Sequence, residues 1–207
     1  RVLRGPSPTS WFMIRNTRKQ LEKTGYKFPE RKIENKDVVL DAKHAGILGE
    51  LNDYLENYYD AYKSYLSGDE RHGYGLIRSV YHQRFVSSFA SAYQTVKRRR
   101  EALEALLDGD EERLRKLASD LIEDLGEDVD EDELLDTMRA AVERARTLVE
   151  RELEILGRLE ESLIPYSRAV TAADDPKLRE IQQVVQKLRE EGRKVLVFSK
   201  FTDTVDV

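Results

Sequence analysis

Cysteine is absent from this chain of 207 residues. Its absence removes disulfides and thiolate metal sites together, and it is compatible with an intracellular origin without proving one. Histidine is scarce: His44, His72 and His82 lack the i, i+4 pairing of a helical zinc site, and no HExxH pattern occurs. No apolar run approaches the roughly 18 residues of a membrane span, so no membrane partner is expected. The opening Arg1-Val2-Leu3-Arg4-Gly5-Pro6 lacks the apolar segment of a signal peptide. No GxxxxGK[ST] phosphate loop is present. The run Asp130-Glu131-Asp132-Glu133 resembles a magnesium-binding acidic box. A Walker-B acid needs an apolar strand before it, whereas Gly126-Glu127-Asp128-Val129 precede it here, so helix capping is the better reading.

What the chain does hold is charge. Charged residues make up 36% and hydrophobic ones 40%, a balance that suits long, solvent-washed helices. The net charge of −5 argues against a uniformly basic nucleic-acid binder. A local basic patch still suffices for phosphate contact, because that depends on local charge. The length allows one or two domains with a real core.

Along the chain, residues 1–10 read as loop, with Pro6 and Pro8 among the breakers. The apolar run Trp11-Phe12-Met13-Ile14 leads into the basic segment Arg15 to Lys19. A turn follows at Gly25 and Phe28-Pro29, and then an extended segment at Val38-Val39-Leu40. From about Ala42 to Leu66, Leu51, Leu55, Tyr58, Tyr62 and Tyr65 mark one helix face, and Ser67-Gly68-Asp69 stops it. With Leu51 and Leu55 on the same stripe, Tyr54, Tyr58, Tyr62 and Tyr65 read as a helix–helix seam rather than as base-stacking rings.

A break at Gly73-Tyr74-Gly75 precedes a second helix, Leu76 to about Leu107, with an interruption near Ser87-Ser88. Gly109 ends it, and Asp110 opens a shorter helix to Leu125. The segment Glu123 to Glu133 is a self-repelling acidic block. One long helix from about Glu131 to Leu163 is expected, seamed by Met138, Val142, Ala145, Val149, Leu153, Leu156 and Leu163 and ended by Pro165.

The last stretch, DPKLREIQQVVQKLREEGRKVLVFSKFTDT from Asp175 to Thr204, reads as an amphipathic helix, a Gly turn and a buried strand, Val195 to Phe198. It delivers Ser199-Lys200-Phe201-Thr202 at the carboxyl end of that strand, where ligands bind in open α/β sheets.

This stretch resembles motif IV at the entry to the second RecA-like lobe of Swi/Snf-type helicases, including the RapA-like branch. Two further segments resemble the same family in the family's order. FMIRNTRK, Phe12 to Lys19, with Phe28-Pro29-Glu30-Arg31, is similar to the element closing the first lobe. QRFVSSFASAYQTVKRRREAL, Gln83 to Leu103, is similar to part of the helical insert of RapA-like proteins. The acidic stretch from Asp108 to Glu133 matches neither.

The resemblance implies a mainly α fold: long antiparallel helices flanked by partial α/β RecA-like lobe pieces. It divides the chain into the end of lobe one (1–41), a helical insert (42–172) and the start of lobe two (173–207). The family's QxxGRxxR arginine-finger motif is missing too. The missing initiator methionine and the stop at Val207 read as the ends of an excerpt. The fragment itself is expected to be inactive and to hold no cofactor. ATP and magnesium are expected for the longer protein, a DNA-dependent ATPase in the cytoplasm, associated with the nucleoid. Its implied partners are duplex DNA and RNA polymerase or another nucleoprotein.

As nucleic-acid or lobe-interface residues the resemblance implies Arg15, Arg18, Lys19, Arg84, Ser87, Ser88, Arg99, Ser199, Lys200 and Thr202. Plainer roles stand beside these. Arg15, Arg18 and Lys19 can snorkel over Trp11-Phe12. Lys97-Arg98-Arg99-Arg100 fan around a helix and can pair with Glu101 and Glu104. Thr202 can cap the helix that follows. The competing function is a non-enzymatic helical interaction module or dimeric adaptor. Loss of duplex binding on charge reversal of Lys97 to Arg100, with the fold intact, would favour DNA contact. The motor assignment needs Val195 to Phe198 to be an inner strand of a lobe.

Overall fold

The computed structural model describes residues 17–28, 32–125, 130–167 and 174–205. They belong to two compact units that divide between Asp37 and Val38, so the helical body and the C-terminal segment share one unit. In the first unit, α1 (Arg18–Lys23) starts from a capping box in which Thr17 and Gln20 satisfy each other's amides. It ends at Gly25, whose φ of 89° suits glycine. Trp11 to Ile14 and Arg15 lie outside the described residues.

The described residues of the second unit are mostly helical, and no strand occurs among the described residues. The expected extended segment at Val38 to Leu40 has no strand partner, and Val39 is exposed. Helix α2 (Ala42–Tyr54) is capped by Asp41, whose carboxylate accepts the His44 amide. It runs on without a stop into a π turn, Leu55–Tyr59, and a 3-10 turn, Asp60–Ser64. The π turn inserts a residue into the helical period. The buried stripe therefore reads Leu51, Leu55, Tyr59, Tyr62 and Leu66, while Tyr58 is half-buried and Tyr65 exposed.

Helix α3 (Gly68–Phe85) begins eight residues earlier than the sequence suggested. Ser67-Gly68-Asp69-Glu70 does stop the preceding helix, but it also caps the next one, with the Ser67 amide donating to Glu70 Oε2 at 2.6 Å. Gly73 and Gly75 thus lie inside a helix. Tyr74 between them is buried, with its ring stacked on Tyr59 at 4.2 Å, which outweighs the poor helix propensity of its neighbours. Helices α4 (Phe89–Asp108) and α5 (Glu111–Leu125) follow, separated by Gly109 at φ 71°.

The single long helix expected from Glu131 to Leu163 is two: α6 (Glu131–Arg144) and α7 (Arg146–Leu163), broken at Ala145 with φ −131° and ψ 37°. The seam survives the break, since Met138, Val142, Ala145, Val149, Leu156 and Leu163 are all buried. The break lets α6 lie on α5 while α7 lies on α4. A 3-10 turn at Pro165 closes α7. Helix α4 is the hub, touching α3, α5, α6 and α7. Each fully buried leucine here, such as Leu51, Leu103, Leu135 and Leu156, stabilises the body by about 1.5–3 kcal/mol.

Helix α8 (Pro176–Glu190) starts at the N-cap Asp175 with Pro176 in its first turn, and ends at Gly192. The run after it corrects the sequence expectation. Residues 193–198 have no regular structure: the Arg193 amide still donates to the Leu188 carbonyl at 2.9 Å, and Leu196 is 82%, Val197 61% and Phe198 87% exposed. A strand forms only where another backbone takes its amides and carbonyls, and no described segment lies there to do so. A one-turn helix, α9 (Thr202–Val205), packs on α4.

Candidate functional site

The expected site residues that come together do so at the elbow between α3 and α4. Phe85 ends α3, and Ser88, extended at φ −161°, caps α4 by accepting the Ser91 amide at 3.1 Å. The elbow holds the C-terminal segment at two places.

At the start of α8, the buried Asp175 carboxylate serves two helix ends. Its Oδ1 accepts the amides of Lys177 (2.9 Å) and Leu178 (3.2 Å), and its Oδ2 accepts the first amide of α4, that of Phe89 (2.8 Å). Negative charge is favourable at both helix N-termini. Lys177 Nζ donates to the Val86 carbonyl at 3.0 Å. His44 reinforces this end: Nδ1 lies 2.7 Å from Asp41 Oδ1, Nε2 lies 3.0 Å from the Asp174 carbonyl, and the ring packs on Phe89 and Tyr166. Two backbone amides of α2, His44's first, and the His44 ring hold the Asp41 carboxyl below its usual range.

Beyond residues 193–198, Arg84 is the centre. Its side chain is buried; Nε donates to Thr95 Oγ1 at 2.6 Å, and Nη2 to the Asp203 carboxylate. Arg98 Nη1 approaches the same carboxylate at 3.8 Å. The buried Phe201 ring lies 5.1 Å from the Arg84 guanidinium. Thr204 Oγ1 sits 2.9 Å from Ser87 Oγ and 3.0 Å from Ser88 Oγ. Lys200 Nζ donates to Gln83 Oε1 at 2.8 Å. Ser199 turns inward on its own chain, its Oγ accepting the Phe201 amide and donating to the Phe201 carbonyl. Thr202 is exposed and is the first residue of α9, not its cap.

Arg99 lies elsewhere. It is 3% exposed and faces Glu152 of α7, with Nε to Oε1 at 2.8 Å and Nη2 to Oε2 at 3.0 Å. Tyr54 OH donates to Glu152 Oε1 at 2.7 Å, Arg99 Nη2 donates to Tyr74 OH at 3.1 Å, and the rings of Tyr59, Tyr62 and Tyr74 surround the guanidinium. Burial works hardest against the Arg99 charge, but the Glu152 carboxylate together with Tyr74 and Tyr54 outweighs it and raises the Arg99 pKa. Burial also pushes the phenols of Tyr54, Tyr59 and Tyr74 up, so they stay neutral. Arg99 therefore fastens α4 to α7 and offers nothing to a phosphate. In the first unit, Arg18 stacks over Phe28 at 5.0 Å, and Lys19 is exposed on α1.

Sequence reasoning missed Asp175, Asp203, Thr204 and Glu152. Asp175 carried a signal, since Asp-Pro is the signature of an N-cap followed by a proline start. Glu152 did not: a glutamate within an apolar seam has the same spacing whether it faces core or solvent. Among the described residues no group could hold a metal ion, and no helix is long and apolar enough to cross a membrane. No protein-family model, curated protein or solved structure matches this chain.

Proposed function

We propose that this chain is the interlobe part of an ATP-dependent DNA helicase or translocase of the Swi/Snf type, RapA-like branch. The helical body is the insert, and α8 with the run after it is the start of a second RecA-like lobe. What supports this reading is the family's order of the three resembling segments, Phe12 to Lys19, Gln83 to Leu103 and Asp175 to Thr204. The run Val195 to Phe198, which the assignment needs as an inner strand, is bare and forms no strand among the described residues, and that counts against it. Successive residues of a strand face opposite ways, so in a sheet Val195 and Val197 would lie on one face and Leu196 and Phe198 on the other. Apolar residues on both sides suit a strand buried on both faces, as in a parallel sheet. The stripe Ile181, Val184, Val185 and Leu188 of α8 is only half-buried, as expected of a helix awaiting that sheet.

ATP and magnesium belong, in this proposal, to flanking sequence. The chain couples the lobes of a cytoplasmic, nucleoid-associated motor whose partners are duplex DNA and RNA polymerase or another nucleoprotein. The test is ATP hydrolysis by the longer reading frame. A phosphate loop upstream, QxxGRxxR downstream and a rate that rises with duplex DNA are expected. Equal rates with and without DNA overturn the assignment. The same bare surface favours a second reading, a helical adaptor that covers it by pairing with a partner. Flanks without ATP motifs, together with concentration-dependent dimerisation, are the results expected of that.

A further inference from the structure

The C-terminal stretch is pinned at both its ends by one short segment of the helical body. Val86 and Phe89 hold the start of α8 through Lys177 and Asp175. Gln83, Arg84, Ser87 and Ser88 hold the other end through Lys200, Asp203 and Thr204. The bare residues Leu196 to Phe198 lie between these fastenings. We propose that the elbow Gln83–Phe89 is a latch that makes the helical body and the piece formed by α8 and the bare run one moving unit, with Arg84 as the residue that positions Phe201 to Thr204.

The physical basis is the location of the charges. Arg84 is 2% exposed at the end of α3, and a carboxylate beside it comes from the C-terminal segment. Undocking that segment takes a carboxylate away from a buried guanidinium and lifts Phe201 out of a buried seat, so the docked state is strongly preferred. The serine and threonine hydroxyls add register, because their short reach admits one alignment of α9 on the elbow. The inference rests on the motor assignment only for what the unit does. Within a motor, a strand entering lobe two would then move with the insert, and any displacement of the insert would be felt at residues 199–204.

The latch is tested on the 207-residue chain by hydrogen exchange. Replacing Arg84 risks unfolding, so the variant is Asp203→Asn, which keeps the hydrogen-bond acceptor and removes the charge. Amides of 201–205 are expected to exchange about tenfold faster or more, with those of α4 and α7 unchanged, and Asp203→Glu is expected to restore protection. Exchange within about twofold of the parent, or an increase spread evenly over α4 and α7, overturns the latch. The chain has no cysteine, so Ser87→Cys with Thr204→Cys gives a single, specific cross-link. In the longer reading frame, DNA-stimulated hydrolysis that survives this cross-link supports one moving unit, and hydrolysis that stops only when it is oxidised overturns it. Absence of DNA stimulation before oxidation overturns the motor assignment alone, and the exchange result still decides the latch.

Discussion

Replacing Glu152 by alanine is the most severe test of how the helical body holds together. Glu152 is fully buried, and its two oxygens take three hydrogen bonds, from Arg99 Nε, Arg99 Nη2 and Tyr54 OH. The variant leaves a guanidinium inside the core without that carboxylate, which costs about 3–5 kcal/mol. The stranded Tyr54 hydroxyl adds about 1–3 kcal/mol. The three rings around Arg99, 5.2–5.9 Å from its Cζ, face it in parent and variant alike and so leave the difference unchanged. These effects share atoms and do not add fully, so the net expectation is a loss of about 3–5 kcal/mol. That equals a fall of about 6–20 °C in Tm for a unit of this size.

The assay is denaturant unfolding followed by far-ultraviolet circular dichroism, with the slope of the transition checked for two-state behaviour. Arg99→Met together with Glu152→Leu is expected to recover most of the loss, because it removes both charges from the core. A loss below about 1 kcal/mol for Glu152→Ala would refute the reasoning, since Arg99 would then have found water or another partner at little cost.

Two smaller predictions probe the caps. The Ser67 amide and hydroxyl, with the Arg144 guanidinium, hold the Glu70 carboxyl at about 2, against an ordinary value of 4.5. A lowered carboxyl stabilises the fold above its unfolded pKa and loses that contribution as pH falls from about 4.5 to about 2. Glu70→Gln should therefore be less stable than the parent near neutrality and converge on it across that window; a constant gap in pH-dependent unfolding would contradict this. Gly109→Ala should cost about 1 kcal/mol, measured by the unfolding midpoint. A new Cβ there meets nothing within 4 Å, so the whole effect comes from φ 71°, and an unchanged midpoint would refute it.

Much of the helical pattern was legible, because apolar spacing reports which face is buried wherever the helix is regular. Gly109, the Ser87-Ser88 interruption and the α6–α7 seam all follow from it. It fails where the period changes. The π turn at Leu55–Tyr59 swaps Tyr58 for Tyr59 in the core, and nothing in LENYY announces the inserted residue. The break at Ala145 has neither glycine nor proline, and it is imposed by α6 and α7 lying on different neighbours. Ser67 to Glu70 carried two signals, a stop and a cap, of which only the first was read. At the site, the elbow serines and Arg84 were visible as polar residues in a resembling segment. Their partners, more than 80 residues away in sequence, were not, because spacing along a chain says nothing about contacts across the fold.

The basic run Lys97 to Arg100 shows how far a charge count can mislead about nucleic acid. A helix turns each successive side chain by about 100°, so four adjacent cations face four directions. Arg98 approaches Asp203, Arg99 is enclosed with Glu152, and Arg100 pairs with Glu160 at 2.6 Å and Glu104 at 2.8 Å. A DNA phosphate that recruited these three would have to displace a carboxylate each time, and at Arg99 it would have to enter the core. Reversing all four charges would set two buried carboxylates against each other at Glu152, so lost duplex binding in such a variant would report a lost fold. Any phosphate contact by this run of four has to be sought at Lys97, which is half-exposed.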